Sequence, residues 1–343
     1  MKKRITSIVS AVLVLAVILF LLVFYNLFVR KTISPREEIA EILIPDKADY
    51  SQVLDSIKKN LAIKNLRILQ WVAVRKNYVS HIRPGRYVLD RSVSYNELIN
   101  ILRGGKQAPV KVTFSNVRTI YDLAGKVGGK ISADSAEIAL FLSDPENYSK
   151  DGFTRENVIA VFIPNTYEFY WNTDAAGFYS RMLKEYHRFW SEERLKKAEQ
   201  INLSPVEVST LASIIDDEVA KADEKPRIAG VYLNRLKLGM PLQACPTIRF
   251  ALNDFTITRV LYKHLETDSP YNTYKYKGLP PGPIGCPSID GIEAVLNAED
   301  HDYLYFAARP DFSGYHNFSR TLAEHNRNAD QYQRELNRRK IFR

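Results

Sequence analysis

Residues 8–28, IVSAVLVLAVILFLLVFYNLF, form a 21-residue run without a single charge. As a helix rising 1.5 Å per residue the run spans roughly 31 Å, the thickness of a bilayer's hydrocarbon core. A secretory signal would have a shorter apolar core and a small-residue cleavage site. Here the exit reads Tyr25-Asn26-Leu27-Phe28-Val29-Arg30, so an uncleaved transmembrane anchor is expected. Lys2, Lys3 and Arg4 precede the run and Arg30, Lys31 and Arg36 follow it, so flanking charge alone does not orient it. No second apolar run of comparable length follows, which leaves about 310 residues on one side of the membrane.

The rest has the makeup of a globular protein, with 45% hydrophobic and 25% charged residues, which excludes wholesale disorder and a polytopic membrane fold. The formal charge is +9. Residues 55–106 hold eleven Lys or Arg against three acids, a net +8, so nearly all of the excess lies in one small segment. A solvated surface, a polyanion-binding face or a face toward anionic head groups would each fit. Nucleic acid is disfavoured, since the segment follows an anchor and carries no zinc spacing or readout motif.

Across that segment the pattern predicts a strand at Ile42-Leu43-Ile44, helical spacing at Val53, Ile57 and Leu61 and again around Leu69, Val72 and Val74, and a strand at Tyr87-Val88-Leu89. A last helix over 94–102 opens with a Ser94/Glu97 capping box and stops at Gly104-Gly105. Together these make a small α/β module. Further on, residues 108–115 read as a strand or linker, helices are expected near 119–124, 136–142, 175–190 and 192–200, and the aromatic run 162–171 suits either a core or a wall on which sugars stack.

The most informative stretch is residues 204–220. Ser204 and Glu207 form a capping box and Pro205 occupies the first helical position, so the helix start is well fixed. Val208, Leu211, Ala212, Ile215 and Val219 project on one stripe. Asp217 lies nearly opposite and is expected to be a solvated surface charge; Asp216 falls on one flank. Glu218 falls on the other, beside Leu211 and Ile214. A carboxyl held against apolar side chains keeps its proton to higher pH, as a general acid requires. Spacing alone favours an ordinary boundary glutamate. Cys245 and Cys286 both precede a proline, and fit either two small buried residues or a disulfide closing a loop of about 40 residues.

The block Ala212-Ser213-Ile214-Ile215-Asp216-Asp217-Glu218, followed by Val231, Asn234-Arg235-Leu236, Gly239-Met240, Leu242-Gln243 and Pro246-Thr247, resembles the signature of the endolytic murein transglycosylases, membrane-anchored cell-wall enzymes. The likeness continues through Ser269-Pro270-Tyr271-Asn272-Thr273-Tyr274, Gly278-Leu279-Pro280-Pro281-Gly282-Pro283 and His316 with Phe318-Ser319. It implies an α+β protein: a cytoplasmic N-terminus (1–7), transmembrane helix (8–28), linker (29–38), LysM-like module (39–106) and a larger mixed α/β catalytic domain (107–343) with a lysozyme-like catalytic helix. The bulk of the chain would lie on the extracytoplasmic side of the cytoplasmic membrane.

The resemblance further implies cleavage of the β-1,4 bond between N-acetylmuramic acid and N-acetylglucosamine without water, leaving a 1,6-anhydro end and terminating strand elongation. Glu218 would be the one catalytic residue, with Asp216 and Asp217 dispensable. Gln243, Tyr271, Asn272 and Tyr274 carry amide and phenol groups suited to substrate contacts and fit structural turns equally, His316 fits either a cleft residue or a satisfied core histidine, and Arg235 is expected to pair with an acid in the core. No metal or cofactor is implied; peptidoglycan strands, the membrane and cell-wall synthases are the implied partners. The chain departs from the family pattern at Phe114-Ser115-Asn116-Val117, which replaces a Pro-Glu-Gly element, and at Cys245 and Cys286, which replace an aspartate and an asparagine. Two cysteines gained in matching loops, in a family working outside the cytoplasm, point to a Cys245–Cys286 disulfide. The alternative to an enzyme is a noncatalytic membrane-anchored scaffold that binds glycan.

Overall fold

The structure, a computed structural model, describes residues 2–219, 221–257 and 260–339. The chain divides into two units: Met1–Val112 with Gly129–Ala133 and Glu168–Asp174, and Thr113–Gly128 with Asp134–Tyr167 and Ala175–Arg343.

The first unit begins with α1 (Lys2–Phe24), which continues into a π-helical turn, Tyr25–Val29. The stretch Ser7–Val29 has a mean hydropathy of 3.1 and is long and apolar enough to cross a membrane. Then come β1 (Ile33–Pro35), β2 (Ala40–Ile44), α2 (Tyr50–Asn60), β3 (Leu61–Ile63), α3 (Leu66–Arg75), β4 (Gly85–Leu89) and α4 (Tyr95–Gly104). β2 and β4 pair antiparallel with Ala40 opposite Leu89 and Ile44 opposite Gly85. Alternation along β2 sends Ala40, Ile42 and Ile44 inward, where they meet Val53 and Ile57 of α2, Leu69 and Val72 of α3, and Leu98 and Leu102 of α4.

Two local expectations change. Residues 29–38, read as a linker, include β1, which pairs with β3, and the Thr32 and Ile33 amides both donate to the Val93 carbonyl. Ile33 is fully buried, so this short extended piece earns its place by packing. The Ser94 cap is only half a capping box: Ser94 Oγ accepts from the Glu97 amide, but the Glu97 carboxylate turns to Arg91 at 2.5 Å, the better partner for a charge. The helix ends as expected, with Gly105 in the left-handed conformation at φ 67°.

The remaining elements are β5 (Val110–Phe114), α5 (Ile120–Val127), α6 (Ser135–Ser143), β6 (Asn165–Phe169), α7 (Ala175–Phe189), α8 (Glu192–Gln200), α9 (Pro205–Glu218), α10 (Lys225–Lys237), α11 (Cys245–Ala251), α12 (Tyr262–Leu265), α13 (Ile289–Leu296), β7 (Tyr305–Ala308), β8 (His316–Ser319) and α14 (Leu322–Arg338). β5 pairs with β6, and β7 runs antiparallel to β8. The aromatic run is core rather than a sugar wall over most of its length. Phe162 stacks on Phe178 with ring centres 5.7 Å apart, Tyr167 on Phe114 at 5.7 Å, and all four are buried.

α9 is the centre of the second unit. Both halves of its Ser204/Glu207 capping box form, and every residue from Val208 to Ile215 is buried because α8, α10, α11 and α13 pack around it. Thr210 donates to the Val206 carbonyl within the helix, while Ser213 donates to the Thr210 carbonyl and accepts from the distant Ile284 amide.

The tie between α9 and α13 runs through Asp216. Its carboxylate accepts from Lys225 Nζ at 2.6 Å, the Ser288 amide at 2.6 Å and Ser288 Oγ at 2.8 Å, and Ser288 in turn caps α13. Gly291 lies against the same carboxylate; a Cβ there would approach Asp216 Oδ1 to 2.5 Å. Asp216→Ala would strand a largely buried Lys225 and is expected to cost about 3 kcal/mol of stability. Denaturant melts against the parent chain measure that loss. A loss confined to a few tenths of a kcal/mol would show the tie to be marginal.

Candidate active site

α9 ends at Glu218, and the next residue, Val219, is already extended, with its amide donating back to the Ile215 carbonyl. Three consecutive acids thus fall in a helix's last turn, where the outward carbonyls disfavour negative charge. The fold answers each differently. Asp216 is committed to Lys225 and Ser288. Asp217 is not the solvated charge that a helical projection predicts. It is half-buried and ion-paired on both sides, with Arg249 Nη2 at 3.0 Å from Oδ2 and Arg118 Nη2 at 3.4 Å from Oδ1. The helix projects Asp217 away from its own apolar stripe, but residue 118 and α11 cover that side.

Glu218 receives no such compensation. Its Oε2 is buried with no hydrogen-bond partner among the described residues. Burial pushes its pKa up from 4.5 to about 7; the nearby Arg249 guanidinium opposes the rise and Asp217 adds to it. Near neutrality this carboxyl can therefore give up a proton and take one back. Its charge is felt by Tyr232, Cys245 and Tyr274, which places those three side chains around it.

The tyrosines and thiols nearby stay protonated. Burial raises the pKa of Tyr274, Tyr232 and Cys245. Cys245 Sγ lies 3.2 Å from Tyr274 Oη, whereas Cys286 Sγ faces the Ile159 carbonyl at 3.9 Å. Both thiols are free, so the expected Cys245–Cys286 disulfide is not formed. Each sulfur has its own partner in a different loop, and burial also raises Cys286.

The other sequence candidates separate into exposed and structural groups. Gln243 is exposed, on a backbone with φ 54°, its amide donating to Thr273 and its side-chain oxygen 3.4 Å from Arg235 Nη1. Tyr271 is half-buried with its ring 4.6 Å from Phe250 and its hydroxyl 3.4 Å from the Glu156 carbonyl. Asn272, expected to touch substrate, is fully buried: its Nδ2 donates to the Leu265 and Thr267 carbonyls and its Oδ1 accepts from the Tyr274 and Lys275 amides. It is a loop staple with no bonding capacity left for a ligand. His316 is half-buried, its Nδ1 2.8 Å from Oε2 of the buried Glu224, whose other oxygen accepts the His316 amide.

Arg235 does not pair with a core acid. It donates to the Leu304, Pro241 and Leu242 carbonyls and stacks over Tyr305, which fastens the loop before Cys245 to β7. Carbonyl oxygens suffice because a guanidinium presents several fixed donors. Arg118, Lys225 and Arg249, which handle the charges of Asp216 and Asp217, were not read from the sequence. They come from a loop and two other helices, and no periodicity within one element brings them to α9. On this side of the helix, Arg118, Ser213, Asp216, Asp217, Lys225 and Ser288 line a polar cleft of about 440 Å³.

Known proteins resemble this chain over most of its length. The endolytic murein transglycosylase of Bacillus subtilis (strain 168) is 30% identical over 307 residues, covering 85% of this chain and 84% of that one. The endolytic murein transglycosylase of Streptococcus pneumoniae serotype 2 (strain D39) is 28% identical over 299 residues; the match covers 77% of this chain and 53% of that longer protein. The crystal structure of a yceG-like protein from Listeria monocytogenes matches with a TM-score of 0.55 at 28% identity, covering 84% of this chain and 98% of that one. A model of the YceG-like family matches residues 42–331, and the chain belongs to that family.

Proposed function

We propose that this chain is a membrane-anchored endolytic lytic transglycosylase of peptidoglycan, with Glu218 as its single acid and base. The observation that carries the reading is Glu218, half-buried with its Oε2 enclosed and unpartnered, its pKa pushed up to about 7 at the end of a helix buried from Val208 to Ile215. The protonated carboxyl gives its proton to the glycosidic oxygen as the C1–O4 bond of the muramic residue breaks. The C6 hydroxyl oxygen then bonds to C1, and its proton passes to the Glu218 carboxylate. The products are a free 4-hydroxyl on N-acetylglucosamine and a 1,6-anhydromuramoyl end. No water is consumed, and the enzyme returns to its starting protonation state. A hydrolase would need a second carboxylate to activate water or hold a covalent intermediate. Here the adjacent acids are held in ion pairs, which favours the single-carboxyl route.

Gln243, Tyr271 and Tyr274 are proposed to contact the N-acetyl and hydroxyl groups of the strand, Gln243 through its exposed amide. α9 would play the part of a lysozyme-like catalytic helix. The order β2, α2, α3, β4, with the two strands paired antiparallel, supports reading residues 39–106 as a LysM-like glycan-binding module. Since the substrate lies outside the cytoplasmic membrane, the chain beyond α1 is placed on the extracytoplasmic side, within reach of cell-wall synthases.

Purified glycan strands treated with the protein should yield 1,6-anhydro ends, and Glu218→Gln should abolish them. Mass spectrometry distinguishes the outcomes, because a hydrolytic product is heavier by one water; unchanged 1,6-anhydro product from Glu218→Gln would refute the assignment. Asp217→Asn should retain anhydro products but alter their pH dependence. Asp217 helps hold the proton on Glu218, so removing its charge lowers the Glu218 pKa, and the alkaline fall in kcat/KM should move to lower pH.

Stability should carry the same signature. Folding raises the Glu218 pKa, so its contribution is fully present below about 4.5 and is lost as pH rises through about 7, a change of up to about 3 kcal/mol. Glu218→Gln lacks this ionisation. The stability of the variant relative to the parent, measured by denaturant melts, should therefore increase between about pH 5 and about pH 8.

A further inference from the structure

The outer face of α3 carries side chains that the core of the first unit does not use. Leu69, Val72 and Ala73 point inward and are buried, whereas Trp71 is 50% exposed and Val74 64%. Lys64, Arg67 and Arg75 are also exposed, and the Arg75 guanidinium lies 5.4 Å from the centre of the Trp71 ring. A half-exposed tryptophan flanked by cations is costly in water but suits the boundary between head groups and acyl chains.

The fold fixes where this face sits. Arg67, Ile68 and Trp71 line an apolar groove of about 440 Å³ together with Leu22, Val23, Asn26 and Leu27, the last turns of the anchor. Leu22 and Val23 belong to the stretch that is apolar enough to cross a membrane. No slack chain separates anchor from module. Leu27 is part of the module's core, the π-helical turn packs on α4, and Thr32 and Ile33 are bonded to Val93. The polar boundary falls at the same level: Asn26 Nδ2 donates to the Leu22 carbonyl and Arg30 Nη1 to Asn26 Oδ1. A side chain that shares a groove with Leu22 and Val23 therefore lies at the depth where α1 leaves the hydrocarbon. Arg30 and Lys31, both exposed, extend the same cationic surface.

We propose that α3 is an interfacial helix. Trp71 and Val74 insert into the head-group layer of the leaflet at which α1 exits, and the groove beside Leu22 and Val23 takes an acyl chain. Lys64, Arg67 and Arg75 pair with the phosphates of anionic phospholipid. This deepens the membrane part of the proposed function, resting on α1 as a span and not on the role of Glu218. Its consequence is a module held flush with the bilayer rather than carried on a tether, the right height for strands still attached to lipid.

The test uses the full-length chain in nanodiscs of phosphatidylglycerol or phosphatidylcholine, with bromine atoms placed on the acyl chains close to the head groups. Trp71 is one of three tryptophans. Shallow bromines should quench about a third of the parent emission, a component absent from Trp71→Phe, and quench it more strongly in phosphatidylglycerol. Replacing Arg67 and Arg75 together by glutamine should remove that lipid preference. Both variants are expected to keep the parental far-UV circular dichroism, so that a change in quenching reports on lipid contact and not on unfolding. Equal quenching of the parent and Trp71→Phe would overturn the proposal, and equal quenching of the parent in the two lipids would overturn the phosphate pairing. Failure of the chain to enter nanodiscs would overturn the spanning assignment of α1 on which the proposal rests, while leaving glycan cleavage by Glu218 standing.

Discussion

Desolvation of one carboxyl group is the constraint on which the proposed chemistry of this protein depends. Glu218 stands at the C-terminal end of α9, where helix carbonyls already disfavour negative charge, and its Oε2 is enclosed without a donor. Burial brings its pKa to about 7, with the Arg249 guanidinium opposing the rise and the Asp217 charge adding to it. The arrangement needs a rigid frame, because a frayed helix end would admit water and return the carboxyl to its ordinary range. The burial of Val208 to Ile215 and the packing of four helices on α9 provide that frame.

The two neighbouring aspartates show how the same helix end tolerates three acids. Asp216 is neutralised by Lys225 and spends its remaining lone pairs on the start of α13, so it fixes the direction in which α9 ends. Asp217 sits between Arg118 and Arg249. Arg249 is the more consequential of the two, because it also acts on Glu218: close enough to limit the rise in pKa, yet shared with Asp217 and so unable to cancel it. The acid strength of Glu218 is thus a balance in which burial and the Asp217 charge oppose one shared guanidinium.

Features set by contacts within one element were legible in the sequence: the apolar stretch of α1, the Ser204/Glu207 cap, α8, and the apolar border of Glu218. Those that depend on a distant segment were not. Asp217 reads as solvated only while Arg118 and Arg249 are unknown. Asn272 looks like a ligand contact until four local backbone groups claim its amide. Cys245 and Cys286 suggest a pair by sequence context, but the fold gives one sulfur to Tyr274 and turns the other to Ile159. Residues 29–38 look like a tether because β1 is three residues long and acquires meaning only opposite β3. The excess charge of residues 55–106 was visible as a number; that Arg67 lines a groove with Trp71, Leu22 and Val23 required the fold.

The most direct test of the central claim is a titration of Glu218 itself in the intact protein. The carboxyl stretch or the side-chain carbonyl carbon signal, assigned by its loss in Glu218→Gln, can be followed across the neutral range. A midpoint near 7 is expected, with the proton leaving as pH rises. A midpoint near 4.5, the ordinary value for glutamate, would contradict the role of burial and with it the single-carboxyl mechanism.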